Sequence, residues 1–341
     1  MSMIVFDGNS ILNRAFYGVK PLTTKDGLPT NAVFGFVNIL QKFLSAEEGP
    51  FTYAAIAFDL HEPTFRHKAY DGYKATRSGM PEDLAAQLQS AKDAARYMGL
   101  KVLEKGGYEA DDILGTLSRI AEENDERCYI VTGDRDSFQL VTNKTTVFLA
   151  STNETKVYTP SRIREEYGVD PIRLIDVKAL MGDSSDNIPG VAGVGPKTAK
   201  ELLAKFGSLD GVYENIDDKS IRPKLREKLL NDKENAYLSY ELATIRPEAP
   251  IDFEPRDAIV QPYNRPALYT LFQKLEFVRL IDKYGLRGAE LETTTHAETT
   301  KAEKLPVLEK LPANLGCCAV YLTEDGSMGV ACADGICVLT P

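Results

Sequence analysis

The sequence Glu109-Ala110-Asp111-Asp112-Ile113 places three carboxylates within four residues. It opens an apolar pattern with the spacing of an amphipathic helix, which continues through Leu114, Leu117, Ile120 and Ala121. One acidic residue in a first helical turn is explained by the partial positive charge of the helix N-terminus. Three carboxylates so close together also repel one another. The stretch therefore predicts a bound cation and further carboxylates from elsewhere in the chain.

Other acidic residues follow short apolar runs that are typical of buried strands. The runs are residues 3–6, 53–58 and 128–133, and the acids that follow them are Asp7, Asp59, Asp134 and Asp136. In parallel α/β sheets the carboxyl ends of the strands form the ligand-binding crevice, so we expect these acids at one edge. Asp183 and Asp186 form a further group on a turn-rich loop. A solvated strand end explains any one of them, but the repetition favours a shared site.

These nine carboxylates are accompanied by no cysteine or histidine in the same motifs. Hard oxygen donors of this kind suit Mg²⁺ or Mn²⁺ rather than zinc. Such ions meet phosphate oxygens, and a pair of them can stabilise both the attacking and the leaving oxygen of a phosphoryl displacement. The pattern therefore predicts metal-assisted hydrolysis of phosphodiester bonds.

The composition is that of an ordinary globular protein, with 43% hydrophobic and 26% charged residues in a chain of 341. This length allows two or three domains. No apolar run approaches the roughly 18 residues that a membrane helix needs, and the first residues form a predicted strand rather than a signal peptide. We therefore expect a cytoplasmic protein without a membrane partner.

The net charge and the cysteine positions limit which partners and metal sites are expected. The net charge of −10 disfavours nucleic acid as a partner of the whole chain. However, nine of the acids are assigned to metal binding, and the basic residues are clustered locally. Cys128 lies in a predicted strand, and the spacing of Cys317, Cys318, Cys332 and Cys337 is not that of a zinc site. We interpret all five as reduced core thiols.

Residues 64–77 combine five basic side chains, counting His67, with Phe65, Tyr70 and Tyr73. A charge run alone is more often a solvated helix face. Aromatic rings among the cations favour nucleic acid, because rings stack on bases while Lys and Arg hold phosphates.

A glycine-rich stretch, residues 188–199, contains Gly193, Gly195, Lys197 and Thr198. It is not a nucleotide-binding P-loop, because Pro196 separates the glycine from the lysine and no strand precedes it. We interpret it as a hairpin between two helices whose backbone N–H groups grip a duplex phosphate. An ordinary connection between helices is the alternative.

The C-terminal part differs in composition from the rest. Residues 288–304 are typical of a linker. Beyond them, residues 319–322, 328–331 and 336–339 are predicted strands joined by turns. Three strands without a helix make an incomplete domain.

The motifs together resemble the family of 5'-nuclease domains of bacterial DNA polymerase I over about residues 3–286. The motifs that carry the resemblance are Val5-Phe-Asp-Gly-Asn-Ser10, Ala57-Phe-Asp59, Thr64-Phe-Arg66, Tyr73-Lys-Ala-Thr-Arg77, Glu109-Ala-Asp-Asp112, Thr132-Gly-Asp-Arg-Asp136, Gly182-Asp-Ser-Ser-Asp-Asn-Ile-Pro-Gly-Val191 and Gly193-Val-Gly-Pro-Lys-Thr-Ala199. The tail resembles the first hairpins of the 3'-5' exonuclease-like domain of the same polymerase, which implies that the chain is a fragment.

The resemblance implies an α/β fold in four parts. Residues 1–172 would form a PIN-like (resolvase-like) catalytic domain with a mainly parallel central sheet and a helical arch at about 64–92. Residues 173–287 would form a helical helix-hairpin-helix subdomain that binds DNA. A linker, 288–304, would lead to a short β tail, 305–341, that begins the exonuclease-like domain.

The implied function is that of a structure-specific 5' nuclease, with both 5'-3' exonuclease and 5'-flap endonuclease activity. As part of DNA polymerase I it would remove RNA primers and 5' flaps in DNA replication and repair, including Okazaki fragment processing. The substrates would be DNA with 5' flaps, nicks or RNA primers, and the protein would be a cytoplasmic, nucleoid-associated monomer linked to a polymerase domain. A PIN-like ribonuclease and a catalytically inactive module that binds branched DNA are the alternatives.

The resemblance also implies roles for individual residues. One metal site would be built from Asp7, Asp59, Glu109, Asp111 and Asp112, and a second from Asp134, Asp136, Asp183 and Asp186, with Asp112 and Asp136 acting through metal-bound water. Lys74 and Arg77 would contact the scissile phosphate, so the catalytic residues would be Lys74, Arg77, Asp7, Asp59, Asp111 and Asp134. The DNA-binding residues would be Arg14, Arg66, Tyr73, Lys74, Arg77, Gly193, Gly195, Lys197 and Thr198, with Tyr73 stacking on a base. The cofactors would be two or more Mg²⁺ ions, with Mn²⁺ as a substitute, and K⁺ at the hairpin.

Overall fold

The computed structural model describes residues 1–45, 51–150 and 155–288 with their side chains, and the backbone of three strands between residues 319 and 339. A six-stranded sheet in the order β3-β2-β1-β4-β5-β6 forms the centre of the first part. Its strands are β1 (Ser2–Asp7), β2 (Tyr53–Ala57), β3 (Lys101–Leu103), β4 (Arg127–Thr132), β5 (Thr145–Ala150) and β6 (Thr155–Tyr158). All neighbouring pairs are parallel except β5 and β6. The predicted mainly parallel sheet is confirmed.

The strand order reverses beside β1. The chain adds β2 and β3 on one side of β1 and then crosses over to place β4 on the other side. Phe6 pairs with Val131 in this register, so Asp7 and Thr132 leave the sheet side by side. Such a reversal opens a crevice at the carboxyl ends of the strands. The fold therefore brings the acids that follow β1, β2 and β4 to one place.

Thirteen helices are described along the chain. They are α1 (Gly8–Gly18), α2 (Asn31–Leu44), α3 (Phe65–Ala69), α4 (Glu82–Tyr97), α5 (Ala110–Glu123), α6 (Pro160–Tyr167), α7 (Leu174–Met181), α8 (Pro196–Phe206), α9 (Leu209–Glu214), α10 (Pro223–Asn231), α11 (Lys233–Ala243), α12 (Arg265–Lys274) and α13 (Val278–Lys283). Short 3-10 helices lie at Asp136–Leu140, Pro171–Arg173 and Pro255–Ala258. None of the described helices is both long and apolar enough to cross a membrane.

Both faces of the sheet are covered because its strands alternate side chains between two apolar layers. On one face Met3, Val5 and Ile130 pack against the apolar stripe of α5 that the sequence predicted. On the other face the ring of Phe6 meets the ring of Phe43 from α2, with centroids 6.4 Å apart. The first turn of α5 is thereby fixed against the crevice edge.

Helices α7 to α11 build a second apolar core around buried residues such as Leu180, Val212 and Leu229. The chain then returns to the sheet part, where the ring of Phe277 contacts that of Phe34 with centroids 5.5 Å apart. Residues 1–287 consequently form one compact unit. The division at residue 172 stays a prediction.

The segment 242–249 ties the helical part to α5. Its backbone N–H groups at Ile245 and Ala249 donate to Gln139 and Thr116 at 3.0 and 2.9 Å. In return, the side-chain amide of Gln139 donates to the carbonyl of Ala243 at 2.9 Å. All of these bonds are buried, so the two parts share one hydrogen-bonded seam.

The remaining described strands, β7 (Ala319–Leu322), β8 (Met328–Cys332) and β9 (Gly335–Leu339), form an antiparallel meander in a separate unit, as predicted. The predicted linker lies outside the described residues apart from Gly288, and so do Cys317 and Cys318. Cys128 is a free, buried thiol, as predicted.

Two details of the first unit differ from the sequence prediction. Strand β3 was not predicted, because three residues are too few to show a period. The predicted helical arch at about 64–92 is only partly helical: α3 ends at Ala69, turns follow, and residues 75–83 are exposed without interruption. Gly72, Gly79 and Pro81 in this stretch disfavour a continuous helix.

Candidate active site

A cavity of about 900 Å³ lies where β1, β2 and β4 end and α5 begins. It is lined by seven of the nine predicted acids, namely Asp7, Asp59, Glu109, Asp111, Asp134, Asp136 and Asp186. Two of the acids, Asp112 and Asp183, are not part of its lining. The seven lining acids come from five separate segments of sequence, so the predicted convergence is observed.

Hydrogen bonds to neighbouring elements fix the first two aspartates. Asp7 caps α1 by accepting from the N–H of Ser10 at 2.9 Å, and its other oxygen accepts from the hydroxyl of Thr132 at 2.7 Å. Asp59 accepts from the N–H of Ala110 at 2.7 Å. The carboxylate that ends β2 is thereby held against the start of α5.

The acids are close enough to alter one another's protonation. Burial raises the pKa of Asp7 to about 7, and the nearby carboxylates of Asp59 and Asp134 add to this rise. Burial also raises the pKa of Asp111 well above its usual value, with Asp7 and Asp134 again contributing. A group of buried carboxylates with raised pKa values is one in which positive charge would be strongly stabilised.

Lys74 and Arg77 both line the acidic cavity. The ammonium of Lys74 donates to Oε1 of Glu109 at 2.9 Å, and the guanidinium of Arg77 pairs with Asp186. Lys74 has a φ of 55°, in the left-handed region that a side chain rarely adopts. Its own N–H donates to the carbonyl of Asp186 at 2.9 Å, which helps to hold this backbone in place.

Arg66 and Asp112 form a buried ion pair, of which Arg66 lines the cavity and Asp112 does not. Arg66 is 3% exposed and Asp112 is 0% exposed. Both carboxylate oxygens of Asp112 are bonded to the guanidinium at 2.8 Å, and they also accept from the N–H groups of Glu109 and Arg246. Both oxygens of Asp112 are thus occupied by Arg66 and backbone N–H groups, while its role at a metal-bound water and the DNA contact of Arg66 stay predictions.

Tyr73, which was predicted to stack on a base, also lines the cavity but is buried. Its ring is 4% exposed, and its hydroxyl donates to Oε2 of Glu109 at 3.1 Å. The ring packs in a small apolar cluster with Ile188 and Leu242. Tyr73 therefore orients Glu109, and its face is covered.

The exposed aromatic at this cavity is Tyr17, which the sequence analysis missed. Tyr17 is 72% exposed at the end of α1, and its ring is held edge-on by Phe16 with centroids 5.1 Å apart. Met80, from the exposed segment 75–83, also lines the cavity and is exposed. The exposed apolar side chains of the cavity lining, Tyr17 and Met80, therefore lie at its rim.

Lys178 is a second cation that the sequence analysis missed. Its ammonium donates to Asp136 at 2.6 Å and to Asp183 at 2.7 Å. Burial works against the lower pKa of Asp183, but the bonds from Lys178 and Ser185 outweigh it and bring that pKa to about 2. A lysine on α7 five residues before Asp183 was the available signal in the sequence.

The donor chemistry fits a hard divalent cation. The lining residues offer carboxylate oxygens and neither histidine nor cysteine. In the part of the chain described with side chains, no three metal-binding residue types surround one point closely enough to hold an ion. Several acids are instead paired with Lys74, Arg77 or Lys178. Binding of an ion would thus require these side chains to adjust.

The predicted DNA contacts fall in two regions. Arg14 lines the cavity, and its guanidinium donates to the carbonyl of Gly133 at 3.2 Å. The hairpin before α8 does not line the cavity, and it is an open surface at Gly193, Gly195 and Lys197, with Thr198 partly exposed. The predicted DNA contact of Arg14 therefore lies in the cavity, and the predicted contacts of the hairpin lie on a separate exposed surface.

Two family models match the chain in succession. A 5'-3' exonuclease N-terminal resolvase-like domain matches residues 2–168, and a 5'-3' exonuclease C-terminal SAM fold matches residues 169–266.

The chain belongs to the 5'-3' exonuclease family.

This membership confirms the predicted resemblance, the α/β fold followed by a helical domain, and the class of enzyme, a 5' nuclease. Among curated relatives, DNA polymerase I of Caldicellulosiruptor bescii is 40% identical over 290 residues, which are 84% of this chain and 34% of that protein. DNA polymerase I of Bacillus subtilis is 41% identical over 292 residues, 85% of this chain and 33% of that protein. The chain spans about a third of the length of these relatives.

Solved structures with the same fold include other nucleases. The T5 D15 protein co-crystallised with metal ions has a TM-score of 0.60 at 20% identity, covering 81% of this chain and 98% of that one. The catalytic core of Rad2 in complex with a DNA substrate has a TM-score of 0.55 at 18% identity, covering 80% and 87%. At this identity the likeness concerns the fold.

Proposed function

We propose that this chain is a divalent-metal-dependent nuclease that cuts a 5' single strand where it joins a duplex. The observation that carries the proposal is the convergence of seven acids with Lys74 and Arg77 in one cavity. The family membership supports it, as do the metal ions and the DNA in the titles of the fold neighbours.

The residues that would hold the ions differ from the predicted set by one. Asp7, Asp59, Glu109 and Asp111 would serve a first ion, while Asp134, Asp136, Asp183 and Asp186 would serve a second. Asp112 is left out because its oxygens are already used. When bound, Mg²⁺, or Mn²⁺ in its place, would activate water for attack and stabilise the leaving oxygen.

The chain's own cations would act on the phosphate. Lys74 and Arg77 are held at the cavity by carboxylates, so each has a fixed direction before substrate arrives. In that position they would neutralise charge that builds on the phosphate oxygens during cleavage. Fixed donors of this kind cost no reorganisation at the moment of reaction.

The rim offers a path for a single strand. The exposed segment 75–83 borders the cavity on one side, and Tyr17 lies on its lining near the end of α1. An exposed ring at this point would stack on an unpaired base of any type. Arg14, one helical turn earlier, would contact the adjacent phosphate.

The hairpin at Gly193–Thr198 would hold the duplex portion of the substrate. Its glycines leave the backbone uncovered, and α8 begins at Pro196 with its N–H groups directed toward the hairpin. Contacts to phosphate of this kind position a duplex without reading sequence. We also propose K⁺ at this hairpin.

We infer the biological setting from the relatives. As the N-terminal part of a DNA polymerase I, the nuclease would remove RNA primers and displaced flaps during replication and repair. We propose a cytoplasmic, nucleoid-associated monomer that is covalently linked to its polymerase domain.

The test uses a 5'-labelled flap annealed beside an upstream primer, with Mg²⁺ or with EDTA. Release of the flap near the junction, only with Mg²⁺, is the expected result. Asp111→Asn should abolish this release while retaining duplex affinity, and Asp71→Asn, an exposed acid outside the cavity, should not. Preferred cutting of free single-stranded RNA would favour a ribonuclease, and binding without cutting would indicate an inactive module.

A further inference from the structure

The side chain of Lys178 bridges two acids that come from different parts of the fold. Asp136 follows β4, and Asp183 lies on the loop after α7. The ammonium is 2.6 Å from Oδ1 of Asp136 and 2.7 Å from Oδ2 of Asp183. These are charge-assisted hydrogen bonds at the short end of the usual range.

Geometry makes this bridge incompatible with a metal ion bound by the same oxygens. Carboxylate oxygens lie at about 2.0–2.1 Å from Mg²⁺. An ammonium nitrogen in contact with both oxygens occupies the same space and adds a like charge. Either the lysine or the ion can be held between Asp136 and Asp183.

Two of the acids proposed for the first ion, Asp7 and Asp111, lack such a partner. In the part of the chain described with side chains, Asp7 and Asp111 accept hydrogen bonds from Ser10, Thr132 and Ser137, and no ion pair involves them. An ion entering there displaces no cation from these two carboxylates. An incoming ion therefore has to displace a cation from the Asp136–Asp183 pair, but not from Asp7 and Asp111.

We propose that Lys178 is a resident cation of the Asp136–Asp183 pair, which a second divalent ion must displace. This rests on the proposed function, because Asp136 lines the same metal-dependent cavity and Asp183 is proposed as a ligand of its second ion. The first ion meets a paired carboxylate only at Glu109, which contacts Lys74 and Arg66, and the second ion binds more weakly. Lys178 thereby sets the divalent-ion concentration at which the cavity becomes fully loaded.

The experiment measures Mn²⁺ binding to the full chain by isothermal titration calorimetry without nucleic acid. The wild type is compared with Lys178→Met, which keeps the length and removes the charge, and with Lys178→Arg, which keeps the charge. Lys205→Met is the matched control, because Lys205 makes an ion pair of 2.7 Å with Asp218 in the same helical part, outside the cavity.

The expected result is that Lys178→Met binds the weaker ion at least about tenfold more tightly, a factor within the range of one unscreened like charge at close distance. The tighter ion should change little. Lys178→Arg and Lys205→Met should resemble the wild type. An unchanged or weakened second constant in Lys178→Met overturns the proposal.

Melting temperatures provide a second test and show whether the Lys178→Met variant is folded. Without divalent ions, Lys178→Met should have a lower melting temperature than the wild type, because two facing carboxylates lose their cation. Mn²⁺ should then raise its melting temperature by more than it raises that of the wild type. Equal shifts overturn the proposal, and Lys178→Gln provides an uncharged donor if the methionine variant does not fold.

Different results would contradict the role of Lys178 and the proposed function. If the wild type binds two ions and cuts flaps while Lys178→Met binds both ions with the wild-type constants, only the role of Lys178 is wrong. If the wild type binds no divalent ion and cuts no flap, the proposed function is wrong and the role of Lys178 is wrong with it.

Discussion

The guanidinium of Arg66 holds both carboxylate oxygens of Asp112 at 2.8 Å, and neither side chain is appreciably exposed to solvent. Arg66 also donates to the carbonyls of Leu242 and Thr244, at 2.9 and 2.7 Å. This pair joins α3, α5 and the segment 242–249. It is therefore part of the support of the cavity.

Asp112→Ala should lower the free energy of unfolding by about 3–5 kcal/mol, because it leaves a buried guanidinium without its main partner. Urea unfolding would measure this. Glu123→Ala, which removes an exposed ion pair on the same helix, should cost about 0.5 kcal/mol or less. If Asp112→Ala instead kept its stability and lost only cleavage, Asp112 would be a metal ligand after all.

The stability of the metal-free protein should fall as the pH rises from about 4 to about 7. The pKa of Asp7 is raised from 3.8 to about 7, so its favourable contribution is complete below the unfolded pKa and is lost through the folded pKa. This difference corresponds to up to about 4 kcal/mol. Asp183, whose pKa is lowered to about 2, changes only at more acidic pH.

The measurement is urea unfolding in EDTA at a series of pH values. Asp7→Asn should flatten the slope between pH 4 and 7, because asparagine keeps the α1 cap and does not titrate. Asp71→Asn should leave the slope as it is. A slope of the opposite sign in the wild type would mean that the cavity acids are stabilised as carboxylates without metal.

Lys74→Met should reduce the cleavage rate by about a hundredfold, with a much smaller effect on flap affinity. The reason is that charge on the phosphate is largest in the transition state. Single-turnover rates and equilibrium binding would separate the two effects. Lys68→Met, an exposed lysine outside the cavity lining, is the control, and equal losses in both variants would argue against a specific role.

Tyr17→Ala should weaken flap binding by about tenfold, the magnitude of one lost base stack. Tyr17→Phe should bind like the wild type, because it keeps the ring. A 2-aminopurine base at the junction should lose its fluorescence quenching only in the alanine variant. Equal affinity of all three proteins would place the strand elsewhere.

Lys197→Ala should weaken duplex binding for all sequences alike and reduce the salt slope by about one. Lys197 is exposed at the first turn of α8, where a phosphate contact is expected. Lys274→Ala, at the exposed end of α12, should leave the slope unchanged. A sequence-dependent loss would contradict a contact to phosphate alone.

The convergence of Asp7, Asp59 and Asp134 could be predicted because it follows from local patterns. Each acid ends an apolar run, and parallel strands bring their carboxyl ends to one edge. A buried strand can be recognised from a short run of neighbouring apolar residues in the sequence. The central sheet was predictable for the same reason.

The roles of Asp112 and Tyr73 could not be predicted in this way. Asp112 and Arg66 are 46 residues apart, and the Arg246 N–H that completes the set is 134 residues away. Carboxylates in a metal site and in a buried ion pair look alike in a sequence. What distinguishes them is which side of the helix faces the cavity, and this depends on packing from distant segments.

The seam between segment 242–249 and α5 has a consequence for dissecting the protein. The family models divide the chain after residue 168, but a fragment that ended there would leave Thr116, Gln139 and the Arg66–Asp112 pair without their buried partners. Such a fragment should not fold to the native state. The smallest autonomous nuclease would extend at least to Ala249, so the matched boundary marks a change of sequence pattern within a single folding unit.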